Sequence, residues 1–231
     1  MRKCRGEARN DRFIIGCNGA TVFIYDKDGT ELAKFKDFPY AYRAVFKPGT
    51  NILAVKSTAG YLGFYDLDSL TLIKKIVVTR LGAQDEGFAF TPDGKYFYNI
   101  EKPRHSARTQ LGIYEAESFT KVHTVFEGEE NMVLEYIEFD PENSACYFTG
   151  FFHHGNMGNM IAEFDTETLT MSRIFTNVAV SDCGPLNAYK KWESYGLSQK
   201  KRENDFRLKN RKEELRPVTI KEVFEKYQSM T

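Results

Sequence analysis

Apolar and polar positions alternate with a period of two through most of the first 182 residues, in short runs separated by turn-forming strings. That alternation is the mark of strands that bury at least one face. One stretch shows the unit clearly. Gly87 to Phe90, Lys95 to Ile100, Gln110 to Tyr114 and Lys121 to Phe126 read as four successive strands. Pro92-Asp93-Gly94 turns the first into the second, because Pro presets φ and Gly accepts a positive φ. Nearer the start, Asn18-Gly19 separates Phe13 to Cys17 from Thr21 to Tyr25, the signature of a tight primed hairpin turn.

The unit recurs. Turn strings FKPGT (Phe46 to Thr50), FTPDG (Phe90 to Gly94) and FDPEN (Phe139 to Asn143) follow one another at offsets of 44 and 49 residues. Downstream runs end on an aromatic followed by an acid: Tyr25-Asp26, Tyr65-Asp66, Tyr114-Glu115 and Phe164-Asp165, spaced by 40, 49 and 50 residues. A fixed period of this length is read before any local motif, since it defines the architecture. Four short antiparallel strands per period make a β-propeller blade.

On these residues the stretch from 13 to about 182 resembles the WD40 and YVTN-type propeller repeats. It lacks the Trp-Asp dipeptide and Gly-His pair of WD40 repeats; the Tyr-Asp, Tyr-Glu and Phe-Asp pairs stand in their place. The resemblance implies an all-β array of about four four-stranded antiparallel blades over residues 13–184. A polar segment (1–12) precedes it and a helical tail (185–231) follows. Residues 1–12 offer no first strand, whereas Val178 to Asp182 arrive where a fifth copy would begin, so this last strand is expected to complete the first blade. An arc of a larger propeller and a ring shared by two chains are the other arrangements compatible with four copies.

Composition narrows the class. The 231 residues include 42% hydrophobic and 14% aromatic side chains, enough for a core and unlike a disordered chain. No apolar run reaches the length of a membrane span, and Met1 to Arg12 lacks the apolar middle of a secretory signal, which predicts a soluble cytoplasmic protein. Cys4, Cys17, Cys146 and Cys183 form no CxxC pair and are expected to be free thiols. The zero formal charge divides unevenly: residues 1–184 hold 20 basic and 25 acidic residues, and 185–231 hold 12 and 7. A basic tail can rest on its own acidic body or reach nucleic acid, the latter through the charged stretch 198–212.

The tail has helical spacing. Leu186, Tyr189 and Trp192 recur every three residues, and Thr219-Ile220-Lys221-Glu222 is a capping box with Val218 and Val223 placed for a hydrophobic staple. Ile220, Val223, Phe224 and Tyr227 then form an apolar stripe that must bury on the blades or on another protein.

No catalytic motif, metal-ligand spacing or cofactor fingerprint is present, and neither a metal nor a cofactor is expected. In a propeller, second-to-third-strand loops and blade connections share one face. The long insertions Glu101 to Thr109 and Phe152 to Asn159 and the connections Thr79 to Glu86 and Glu127 to Met132 would therefore meet there. They would bring Arg80, Asp85, Glu86, Arg104, His105, Arg108, Glu129, Glu130, His153 and His154 around one mouth. Binding residues are concentrated on loops held by rigid scaffolds. The expected function is a non-enzymatic scaffold that presents this face and the tail to a protein partner. Two alternatives stand beside it. One is a hydrolase resembling the propeller lactonases, with Asp85, Glu86, His105 and His153 as candidates; the other is an RNA-associated protein binding through the tail.

Overall fold

A computed structural model of the chain describes residues 6–9, 12–16, 21–26, 28–78, 87–102, 109–129, 132–152, 159–176, 185–186 and 189–190. Its strands fall into four four-stranded antiparallel sheets, each taken in chain order. Blade 1 comprises β1 (Gly6–Arg9), β2 (Arg12–Gly16), β3 (Val22–Asp26) and β4 (Glu31–Phe35), and blade 2 comprises β5 (Ala41–Phe46), β6 (Ile52–Ser57), β7 (Tyr61–Asp66) and β8 (Thr71–Val77). Blade 3 is β9 (Phe88–Phe90), β10 (Tyr96–Glu101), β11 (Gln110–Glu115) and β12 (Lys121–Val125). Blade 4 is β13 (Met132–Phe139), β14 (Cys146–Phe152), β15 (Asn159–Asp165) and β16 (Thr170–Thr176). The strands of blade 3 lie within a residue or so of the alternation pattern.

Two expectations are corrected at the N-terminal end. The position reserved for Val178 to Asp182 beside β2 is taken by Gly6–Arg9, which pairs antiparallel with it, Ala8 opposite Phe13. The signal was hidden because GEAR carries too few apolar residues to alternate. The hairpin joining β2 to β3 sets Gly16 opposite Val22, whereas a two-residue turn at Asn18-Gly19 would have set Cys17 opposite Ala20, one residue out of register. Such a slip would turn every side chain of one strand to the other face. Residues 177–184 lie outside the described residues.

The acid that ends each third strand has a structural task. Asp26 Oδ1 accepts the amides of Asp28 and Thr30 at 2.9 and 2.8 Å, Asp66 Oδ1 those of Asp68 and Ser69 at 2.7 and 3.3 Å, and Asp165 Oδ1 those of Glu167 and Thr168 at 2.9 and 3.0 Å. Glu115 does the equivalent with the Ser118 hydroxyl at 2.8 Å. These side-chain turns reverse the chain into the fourth strand. The residue that completes each turn has positive φ: Gly29 at 81°, Leu70 at 54°, Phe119 at 59° and Leu169 at 56°. A bulky residue there is strained, and the strain is offset because Leu70, Phe119 and Leu169 each pack against an interblade core.

The turns also set an acid response. The Thr30 amide, above all, holds the Asp26 carboxyl below the usual range; the Thr168 and Glu167 amides do so for Asp165, and the Thr91 hydroxyl for Asp93. A carboxyl whose pKa is depressed by folding stabilises the fold above its unfolded pKa, and that contribution is lost as pH falls from about 4 downward. The triple variant Asp26→Asn, Asp93→Asn, Asp165→Asn keeps an acceptor at each turn. Its melting temperature is expected to vary less than wild type's below that pH; equal acid slopes would contradict the assignment.

Blades stack in chain order, and each interface is an aromatic-rich core. Between blades 1 and 2, Phe35 stacks on Tyr65 with ring centroids 4.0 Å apart. Between blades 2 and 3, Phe64 lies 5.3 Å from Phe97 and 4.2 Å from Phe119. Between blades 3 and 4, Phe164 meets Tyr98 at 6.2 Å and Phe148 at 5.5 Å. Burial pushes the phenol of Tyr98 up to about 12 and raises the Cys146 thiol, so both stay neutral in the core. First strands converge, β1 lying against β5 and β9 against β13, which makes them the axial edges of the array.

Beyond blade 4 the chain becomes helical at residues 185, 186, 189 and 190. Leu186 and Tyr189, spaced as expected, pack on Tyr147 and Ile161, with Tyr189 stacked on Tyr147 at 4.4 Å. Glu138 Oε2 accepts the Leu186 amide at 3.1 Å, and Lys190 lies 3.8 Å from the Asp140 carboxylate. Trp192 and the rest of the tail, with Ile220, Val223, Phe224 and Tyr227, lie outside the described residues. Among the described residues no helix is long and apolar enough to cross a membrane.

Candidate functional site

Alternating antiparallel order sends the β6–β7, β10–β11 and β14–β15 loops and the connections between blades to one edge of the array. The opposite edge carries the short acid-capped turns. Of the ten residues expected around the mouth, Glu129 is described: it is half-buried, and its amide donates to the Phe126 carbonyl at 3.2 Å. Arg80, Asp85, Glu86, Arg104, His105, Arg108, Glu130, His153 and His154 lie outside the described residues. The roots of their loops are described, and all emerge at this edge.

Those roots are tied together across blades. Thr109 Oγ1, at the end of the β10–β11 loop, accepts the amide of Leu134 in blade 4 at 2.6 Å, and the Gly87 amide donates to the Glu135 carbonyl at 2.7 Å. In blade 2 the Val78 amide donates to the Gly60 carbonyl at 2.9 Å, and the Thr58 amide to the Tyr40 carbonyl at 3.1 Å. The Ser57 hydroxyl donates to the Pro39 carbonyl and accepts the Ala59 amide at 3.0 Å. Loops mounted this way have fixed ends.

Glu101 was expected to open an exposed loop. It is instead the last residue of β10, 2% exposed. Its carboxylate accepts the Tyr114 hydroxyl, the Gln110 amide at 3.1 Å and the Lys121 ammonium at 2.7 Å. A buried carboxylate is tolerated when its oxygens are bonded in this way. Its role is to anchor the root of the β10–β11 loop.

Tyr40 is the residue that sequence reasoning missed. It stands in the connection between blades 1 and 2, is 64% exposed, and holds φ at 54°. Its neighbour Phe38 is buried, packs against Tyr65 and Tyr61, and carries the Lys75 ammonium 4.9 Å from its ring centroid. An exposed aromatic on a pinned, strained backbone is suited to contact with a partner. Its sequence signal is weak, an aromatic after Pro39 with no periodicity of its own.

On the axial edge β5 carries Arg43, 5.9 Å from the Phe88 ring centroid, and β13 carries the half-buried Glu135, whose carboxyl burial pushes up. Among the described residues no group of three or more His, Cys, Asp or Glu side chains could hold a metal ion. The hydrolase candidates Asp85, Glu86, His105 and His153 all belong to the segments outside the description.

No protein-family model matches the sequence, and no curated protein does. In fold the chain is similar to Kuenenia stuttgartiensis hydrazine synthase, with a TM-score of 0.60 and 13% identity over 72% of this chain and 46% of that one. It is also similar to a chain in the crystal structure of a mitotic checkpoint complex, with a TM-score of 0.56 and 16% identity over 71% and 47%. The chain spans about half the length of these structures. Identities this low speak for fold alone, and both neighbours are β-propeller or WD40-type folds. The four stacked sheets are thus a β-propeller-like array.

Proposed function

We propose that this protein is a non-enzymatic, cytoplasmic interaction scaffold that receives a protein partner on its loop edge. The observation that carries the reading is the exposed Tyr40, with positive φ and its carbonyl hydrogen-bonded to the Thr58 amide, on the edge where the charged insertions are rooted. Aromatic anchors ringed by charge are the usual energetic centres of protein interfaces. The propeller-like neighbours, one of them within a mitotic checkpoint complex, are compatible with such use. The buried Cys146 is a free thiol, the state a reducing cytoplasmic setting maintains.

The test is co-purification of the full-length chain from its own cells. Tyr40→Ser is expected to reduce the bound partner about tenfold or more, the usual cost of losing an interface anchor. Leu72→Ser, on the outer strand β8, should leave binding intact. Equal retention by the Tyr40 variant, or equal loss in both variants with unchanged melting, would remove the loop edge from the interface.

A further inference from the structure

The four blades repeat a two-sided design, and blade 1 breaks it on one side. In each third strand the aromatic before the acid points toward the preceding blade. Tyr65, Tyr114 and Phe164 are 1%, 5% and 3% exposed there. Among the described residues no blade lies on that side of the equivalent Tyr25, which is half-buried. Two residues earlier the same side carries Gly63, Gly112 and Ala162 in blades 2, 3 and 4, but Phe23 in blade 1. Small residues are required in the inner blades. A Cβ on Gly63 would come 2.1 Å from the Phe38 ring, and one on Gly112 2.3 Å from Glu101 Oε1. Bulk at position 23 means that this side is not packed as the internal interfaces are. The turn residue agrees. Leu70, Phe119 and Leu169 insert toward the preceding blade, whereas blade 1 has Gly29, around which a Cβ would meet nothing within 4 Å.

Among the described residues that side carries two half-buried aromatics. Phe23 and Tyr25 are stacked with centroids 6.2 Å apart, and Lys34, paired with Glu31 at 2.9 Å, lies 5.4 Å from the Phe23 ring. The other end of the array indicates what covers such a surface. Blade 4's corresponding outward side bears Tyr147 and Ile161, and helical residues Leu186 and Tyr189 of the tail lie on it. On the same side Glu163 stands where Ile24, Phe64 and Ile113 face the next blade, and it pairs with Arg173 at 3.1 Å. A second copy could not stack its blade 4 on blade 1 without displacing Leu186 and Tyr189.

We propose that the outward side of blade 1 is the docking surface for this chain's own C-terminal helix, residues 219–228, through Ile220, Val223, Phe224 and Tyr227. The stripe has the i, i+3, i+4, i+7 spacing of a helix laid on a flat apolar surface. The reach is sufficient: 28 residues, 191–218, separate Lys190 from Thr219. Extended, they span up to about 90 Å, against roughly 50 Å across three spacings of stacked sheets and the helix layer at each end. Charge favours the crossing rather than the contact: residues 190–218 carry the tail's net +5 and residues 1–184 are net −5, while in 219–228 Lys221 and Lys226 balance Glu222 and Glu225.

The test places a photoreactive benzophenone side chain at position 227 of the full-length protein. Crosslinks at monomer mass to peptides within residues 22–35 are the expected result. Crosslinks between two chains, to other blades, or none at all would overturn the proposal. Phe23→Gly, which restores the small residue of the inner blades, is expected to cut the crosslink yield about tenfold through the lost apolar contact. Phe224→Asp makes the same measurement without altering any blade. An undiminished yield in the Phe224 variant would equally overturn the assignment.

Discussion

Phe64→Ala is expected to lower the stability of the whole array by about 3–5 kcal/mol, the cost of a large core truncation that leaves a cavity. Phe64 is 1% exposed at the centre of the interface between blades 2 and 3, against the rings of Phe97 and Phe119. Phe119 sits at a positive φ, and packing against this core holds it there. Removal of the Phe64 ring therefore loosens a strained turn as well as an apolar contact. In a repeat array each unit depends on its neighbours, so the loss is expected to separate the unfolding of blades 1 and 2 from that of blades 3 and 4. Denaturant melts followed by fluorescence and by circular dichroism would test this. Val122→Ala, on the exposed outer strand β12, is the control and should change stability by no more than about 0.5 kcal/mol. Similar midpoints for the two variants would mean that the interface is not the stabilising element.

Gly150→Ala is the second large effect, at about 3 kcal/mol or more, and its origin is the backbone. Gly150 is paired with Leu134 where β13 is bulged. A Cβ there would lie 2.1 Å from the Val133 carbonyl oxygen and 3.2 Å from the Leu134 Cα. Neither atom can move without breaking strand pairing, so one added methyl acts as severe overpacking. Gly63 offers the informative comparison, because its obstruction is the Phe38 ring, a side chain. Phe38→Leu should therefore restore part of the stability lost in Gly63→Ala, whereas no side-chain substitution should restore Gly150→Ala. A Gly150→Ala protein that melts like wild type would show that the bulge relaxes, contrary to the geometry.

Strand positions were legible because the two-residue period and the Pro, Gly and Asp turns are local properties. Phe90 to Gly94 turned where expected, closed by the Gly94 amide on the Thr91 carbonyl at 2.8 Å. Burial was less legible. Strands such as β6 are buried on both faces, so even Lys56 is enclosed, its ammonium donating to the Ile100 carbonyl at 2.7 Å. In such strands periodicity no longer tells which neighbour a side chain meets. Glu101 was misread for a related reason: its partners Tyr114 and Lys121 are 13 and 20 residues away and meet it only once the sheet has formed. Of the proposed mouth, the common edge was legible from the order of strands; Tyr40 was not, since exposure and positive φ are acquired in the fold.

The amino-acid order by itself determined the four-copy rhythm, the turns and the sense in which loops share an edge, because these depend on residues close along the chain. Only the tertiary structure decided that Gly6–Arg9 starts the first blade, that Leu186 and Tyr189 cover blade 4, and that the two sides of each sheet differ. Those outcomes arise from contacts between residues distant in sequence, where shape and space select the partner and hydrophobicity alone does not.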